Sequence, residues 1–175
     1  MKPPRLPMMT IDFEATCLPE SMRSMPIEVA VCDVAHGRLW EWLVDIPDGA
    51  LWDPGSMDLH GLAPRDLIRY GLPADQVAAS LEAAVAGYAV VSDAVGPDGF
   101  WLRQLYRLAG RGEPPFKLGS WWMLLERLRR RTGVAGAVEI DAAITLARRR
   151  FPREHRAGPD ARRNAEVIRI LAGWA

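Results

Sequence analysis

The sequence predicts an α/β fold: a central mixed sheet of about five strands, the first three antiparallel, flanked by helices. Three observations carry that expectation. Apolar residues alternate at period two in strand-length segments as far as Ile46. From Pro64 onward the apolar spacing changes to three and four, the period of helices. Among those helical segments lies a short apolar run, Tyr88 to Ser92, that reads as a buried strand, with Phe116-Lys117-Leu118 as a shorter one.

The first strand, within Met8 to Cys17, is the most informative stretch. Residues i and i+2 of a strand share a face, so Asp12 and Glu14 project together while Ile11 and Phe13 face the core. Their Cα atoms would stand roughly 6.5 to 7 Å apart, near enough for two carboxylates to converge on one cation. The nearest basic residues are Arg5 and Arg23, so no close neighbour in sequence neutralises them. Two such acids recruit a cation, raise one another's pKa, or fan out into water from a strand end, and the pair alone leaves these alternatives open.

Leu18 to Pro26 is loop chemistry, rich in proline and serine beside the acidic pair. Ile27 to Val34 reads as a second strand with Ile27, Val29 and Val31 on one face, and Ala35 to Arg38 closes a hairpin-like connection to a third, Leu39 to Ile46. Pro47 to Gly61 is expected to be irregular and ends in Leu59-His60-Gly61-Leu62. Pro64 opens a short helix to Tyr70, and Pro73 a longer one from Ala74 to about Gly87 with Val77, Leu81, Ala84 and Val85 inward. After the Tyr88–Ser92 strand, Asp93-Ala94-Val95-Gly96-Pro97-Asp98 places two acids just past a strand end, where open α/β sheets bind ligands. Helices are expected from Asp98 to Ala109, from Ser120 to Arg131, from Val138 to Arg150, and from Pro159 at a first helical position to about Leu171. A break falls at Thr132 to Gly136.

The length of 175 residues suits one domain, residues 1–175, and no repeat or linker divides it. No stretch approaches about 18 uninterrupted apolar residues, so none is expected to span a membrane, and Met1 to Met9 lacks the apolar run of a signal peptide. Cys17 and Cys32 are too few for a disulfide framework, which points to a reducing, cytoplasmic setting. The balanced total of 22 Lys/Arg and 22 Asp/Glu hides an asymmetry. Met1 to Asp98 holds 6 basic and 15 acidic residues, and Gly99 to Ala175 holds 16 and 7. An acidic centre beside a basic surface suits a polyanion held near bound metal, although Arg127 to Arg131 and Arg148 to Arg150 also read as solvated helix faces.

Three patterns stand in order: Ile11-Asp12-Phe13-Glu14-Ala15-Thr16-Cys17, Val91-Ser92-Asp93-Ala94 leading to Asp98-Gly99-Phe100-Trp101-Leu102, and His155-Arg156-Ala157-Gly158-Pro159-Asp160. Together they resemble the DEDDh 3′–5′ exonucleases, the DnaQ-like group of the ribonuclease H-like fold, over nearly the entire chain. The resemblance implies that Asp12, Glu14, Asp98 and Asp160 hold two Mg²⁺ or Mn²⁺ ions, with Asp12 the bridge and His155 the general base. It implies a metal-dependent exonuclease that hydrolyses the 3′ end of single-stranded RNA or DNA and releases nucleoside 5′-monophosphates. The backbone of Ala15, Thr16, Cys17 and Leu18 would then cradle the terminal nucleotide. Arg153 and Arg156 flank the base and match phosphate geometry, and Trp52, Trp101, Trp121 or Trp122 could stack on a nucleobase. Two departures matter. The family commonly has Asn and an aromatic ahead of its second-motif acid, whereas this chain has Asp93 and then Val95-Gly96-Pro97, so Asp93 competes with Asp98 as ligand. The wording Asp12-Phe13-Glu14-Ala15-Thr16-Cys17 resembles the RNA-trimming branch. The alternative reading is a catalytically silent nucleic-acid-binding or protein-interaction module of the same fold.

Overall fold

The computed structural model describes residues 7–132, 137–152 and 155–174; Arg153 and most of the break expected at Thr132 to Gly136 lie outside the described residues. Five strands, β1 (Met8–Ala15), β2 (Pro26–Asp33), β3 (Leu39–Leu43), β4 (Ala89–Ser92) and β5 (Leu118–Ser120), form one sheet in the order β3-β2-β1-β4-β5. β1 pairs antiparallel with β2 and parallel with β4, so it occupies the centre of the sheet. β2 pairs antiparallel with β3, and β4 parallel with β5. This is the expected mixed sheet with its first three strands antiparallel.

Helices cover both faces, which is why β2 reads as an almost unbroken apolar run: every one of its residues is buried. On one face Met9, Ile11 and Phe13 of β1 and Val29 and Val31 of β2 pack against α3 (Ala74–Val85) and α4 (Val95–Leu108) through residues such as Leu81 and Leu105. Across the sheet, Ala30 and Cys32 meet α5 (Trp121–Thr132), α6 (Ala137–Arg150) and α7 (Ala157–Leu171). Ala157, Ala161 and Ala165 recur every fourth residue on the buried side of α7, and so small a stripe lets the helix lie close to the strands. There Thr10 Oγ1 of β1 donates to the Ala161 carbonyl at 2.6 Å. The even-numbered face of β1 therefore runs from Thr10 beneath α7 to Asp12 and Glu14 beside its first turn.

The observed elements depart from expectation mostly at their ends. β3 stops at Leu43, after which Val44 makes only an isolated bridge to Leu72, and β5 begins at Leu118 instead of Phe116. Within the stretch expected to be irregular, α1 (Pro54–His60) forms. Asp53 Oδ2 accepts from the Ser56 N–H at 2.8 Å, Pro54 occupies the first turn, and Gly61 ends the helix at φ 68°, where a side chain would be strained. It is followed by α2 (Pro64–Tyr70), as expected. α4 begins at Val95 and α7 at Ala157, earlier than the expected Asp98 and Pro159. Pro97 and Pro159 both sit inside a first turn, where amide groups lack helical partners and a missing N–H costs nothing.

The close fit of α7 to β1 leaves no room for a larger side chain at Ala161. Ala161→Leu is expected to cost about 1–3 kcal/mol through overpacking, read as a lower midpoint in urea unfolding.

Candidate active site

Four elements bring the acidic residues together at one edge of the core. Asp12 and Glu14 leave the same face of β1, Asp98 lies in the first turn of α4, and Asp160 lies in the first turn of α7. Asp93 follows β4. Carboxylate oxygens of Asp12, Glu14 and Asp160 lie within 4.8 Å of one another, and so do those of Asp12, Asp93 and Asp98. Asp12 belongs to both groups. The competition between Asp93 and Asp98 for one role is thus replaced by a geometry in which both approach Asp12. Asp98 is nearly inaccessible and accepts from Ser92 Oγ at 2.5 Å, while the same hydroxyl accepts from the Ala94 N–H at 2.9 Å. Ser92 thereby fixes the acid that the early start of α4 carries inward. Asp93 Oδ1 is buried without a hydrogen-bond partner.

Burial and crowding both oppose ionisation here. Asp12 is raised well above the ordinary carboxylate range, first by desolvation and then by Asp98, Glu14 and Asp93. Glu14 is pushed up to about 8, by desolvation and then by Glu28, with Arg156 opposing. Asp98 is pushed up to about 8 by desolvation, partly offset by the Ser92 hydrogen bond. All five donors are carboxylate oxygens, the chemistry that hard divalent cations prefer. The unpartnered Asp93 oxygen and the three raised carboxylates are what such a donor set shows in the absence of positive charge. These residues fit a divalent cation.

Asp12, Asp93, Trp122, Arg148, His155 and Asp160 line a cleft of about 210 Å³. His155 is exposed and stands at φ 56°, an uncommon conformation for a residue with a side chain. Its backbone N–H donates to Asp160 Oδ2 at 3.0 Å, which ties the loop to the acid five residues on. Asp160 also contacts Arg163, one turn along α7.

Arg156 is placed differently from the phosphate contact expected of it. Its Nε donates to Glu28 Oε2 at 2.9 Å and to Oε1 at 3.1 Å, its Nη2 also bonds Glu28, and Glu41 lies 3.4 Å from it. The Ala157 N–H donates to Glu28 Oε2 at 2.9 Å. Glu28 is fully buried and stands opposite Glu14 in the β1–β2 ladder. Burial would raise its pKa, but the Arg156 and Glu41 hydrogen bonds and the Ala157 amide bring it below the usual value. Arg156 therefore holds the start of α7 against β2 and neutralises a carboxylate that would otherwise repel Glu14. Sequence reasoning missed Glu28, although an acid inside an otherwise apolar strand was its signal.

Beyond Glu14 the β1–β2 register shifts at Ala15. Ala15, Thr16 and Cys17 are buried and Leu18 is exposed. Thr16 N–H donates to the Met25 carbonyl at 2.9 Å and its carbonyl accepts from Asp53 N–H at 2.8 Å, so its backbone is spent on shaping the turn. Ser24 Oγ donates to the Cys17 carbonyl at 2.5 Å and accepts from Trp101 Nε1 at 2.9 Å, which anchors this loop to α4. His60 is buried behind it, with Nδ1 accepting from the Leu62 N–H at 3.0 Å and burial lowering its pKa. A neutral ring of fixed tautomer makes His60 a support for the turn. The basic runs are partly engaged as well, Arg129 and Arg130 with Glu126 at 2.8 and 3.0 Å and Arg150 with Glu166.

Two outcomes follow from this electrostatics. Unfolded carboxylates ionise near pH 4, whereas folded Glu14 and Asp98 keep protons up to about 8. The metal-free folded state binds more protons across that window, so its stability falls as pH rises from about 4 toward 8. Thermal unfolding in EDTA is expected to show this fall, and Mg²⁺ or Mn²⁺ to raise Tm more at about pH 8 than at about pH 5, because ligation needs ionised carboxylates. Arg156→Ala strands Glu28 without its cation and is expected to cost about 3–5 kcal/mol in denaturant unfolding, with Glu28→Gln added to it recovering part of the loss.

No family model and no curated protein matches the sequence. Solved structures do match. The chain superimposes on the nuclease domain of 3'hExo, described as a DEDDh family member bound to rAMP, with a TM-score of 0.70 and 16% identity, covering 99% of this chain and 95% of that one. Exonuclease I of E. coli, in complex with a dA16 oligonucleotide, matches with a TM-score of 0.72 and 13% identity over 97% of this chain, which spans only 42% of that one. A 3'-exonuclease described in 3'-end recognition of histone mRNA stem-loop matches with a TM-score of 0.67 and 15% identity, over 96% of this chain and 64% of that one. The fold of this chain is the ribonuclease H-like fold of the DEDDh 3′ exonucleases.

Proposed function

We propose that residues 1–175 form one metal-dependent 3′–5′ exonuclease unit that hydrolyses the terminal phosphodiester of single-stranded nucleic acid and releases nucleoside 5′-monophosphates. The observation that carries this reading is the sharing of Asp12 between two carboxylate groups in a cleft that His155 also lines. Asp12, Glu14, Asp98 and Asp160 would hold two Mg²⁺ or Mn²⁺ ions, with Asp93 beside them. When bound, such ions supply charge stabilisation at the attacking and leaving oxygens. His155 accepts a proton from the attacking water at its imidazole, acting as the general base. The phosphorus–O3′ bond then breaks, and the shortened strand leaves with a 3′ hydroxyl protonated from solvent. An exposed His155 on a loop between α6 and α7 can reach a water in the cleft without disturbing the sheet.

The solved structures of similar fold, bound to rAMP or to a dA16 oligonucleotide, support a single-stranded 3′ end as the partner. The backbones of Ala15, Cys17 and Leu18 are the cradle for its last nucleotide, with Thr16 bracing the turn. No described helix is long and apolar enough to cross a membrane. Two buried free thiols, Cys17 and Cys32, support a reducing, cytoplasmic setting.

Incubated with Mg²⁺ or Mn²⁺, 5′-labelled single strands should shorten stepwise from the 3′ end. Asp12→Ala and His155→Ala should each lower the rate by about 10²-fold or more. Internal cleavage of circular single strands, or full activity in the double variant, would sink the reading. Binding without hydrolysis across both metals would move it to a silent binding module. Matched DNA and RNA strands in the same assay report the preference between them.

A further inference from the structure

We infer that Trp122 is the platform on which a nucleobase next to the scissile bond stacks. The inference rests on the exonuclease reading and adds the substrate contact that reading leaves open. Of the described tryptophans, Trp122 alone is exposed, at 53%. The others belong to the interior or its margin. Trp121 is 2% exposed and donates its Nε1–H to the Asn164 carbonyl at 3.0 Å. Trp101 is tied to Ser24, Trp40 and Trp42 pack on the α3–α4 side of the sheet, Trp52 packs near Ile27, and Trp174 near α7.

Trp122 is exposed but not loose. Its Nε1–H donates to the Asp93 carbonyl at 3.1 Å, and Trp121 meets it edge-on, with ring centroids 4.8 Å apart and planes at 86°. An indole held at its polar edge and braced by a second ring has already lost the freedom that stacking would otherwise cost. It lines the same cleft as Asp12, Asp93, His155 and Asp160, so a base lying on it shares that cleft with the acids. Arg148 lines that cleft too and brings positive charge toward the strand. Stacking on an indole accepts any base, which suits an enzyme that removes successive nucleotides.

The test is steady-state cleavage of a 5′-labelled single strand by the wild type, Trp122→Ala and Trp122→Phe. Trp122→Ala is expected to raise KM about tenfold with kcat within about twofold, and Trp122→Phe to retain most of the wild-type KM. An abasic residue placed at the terminal or the penultimate position should reproduce the KM loss in the wild type and add nothing in Trp122→Ala. Mn²⁺ affinity, measured by calorimetry without nucleic acid, should be the same in all three, which shows that Asp93 has not moved. A KM in Trp122→Ala within twofold of wild type overturns the stacking platform while leaving the exonuclease reading intact. So does an abasic loss that adds fully to the variant's. A wild type that neither binds nor cuts the strand overturns both.

Discussion

Asp12, Glu14, Asp93, Asp98 and Asp160 converge on one cleft although each would be better solvated apart, and the surrounding architecture serves to keep them there. A central strand between two covered faces removes water from Asp12 and Glu14. Early starts of α4 and α7 carry Asp98 and Asp160 inward, where the positive ends of those helices favour negative charge. Ser92 and the His155 amide hold two of the acids by hydrogen bonds. The energy spent on crowding these groups is recovered only when positive charge enters, so folding and cation affinity draw on the same interactions.

The Glu28–Arg156 pair shows how the sheet organises chemistry it does not itself perform. Glu28 points to the same side as Glu14 from the adjacent strand, and an ionised carboxylate there would compete for whatever cation Glu14 attracts. Arg156 cancels that competition and, being one residue from His155, fixes one end of the loop that presents the imidazole. Gly158 completes the fit, since a Cβ there would run into the Glu41 carboxylate. A cation that local sequence suggests for substrate is thereby consumed by the frame.

Much of the fold was legible because the chain's periodicities are clean: Ile11 and Phe13 face one way and Asp12 and Glu14 the other, and the observed sheet keeps that division. The three motifs also located the acids that the structure gathers. What escaped was set by contacts distant in sequence or by helix phase. Glu28 and Arg156 are 128 residues apart, so no window could pair them. Asp93 looked like a rival of Asp98 because spacing does not tell where α4 begins, and its start at Val95 lets both acids reach Asp12. α1 was a plainer oversight, since Asp53 before Pro54 is a helix start visible in the sequence.

The placement of α7 has a consequence for biosynthesis. Asp12 is made ahead of all the described helices and Asp160 only with α7, the last of them in chain order, and the alanine stripe of α7 covers the strand face that carries Thr10 and Ala30. Until α7 docks, the face that carries Thr10 and Ala30 lacks its alanine-striped cover, and Asp12, Glu14, Asp93 and Asp98 stand without Asp160. The acidic cleft is thus completed by the helix made after all the others, and the crowding of its carboxylates is imposed only as that helix docks.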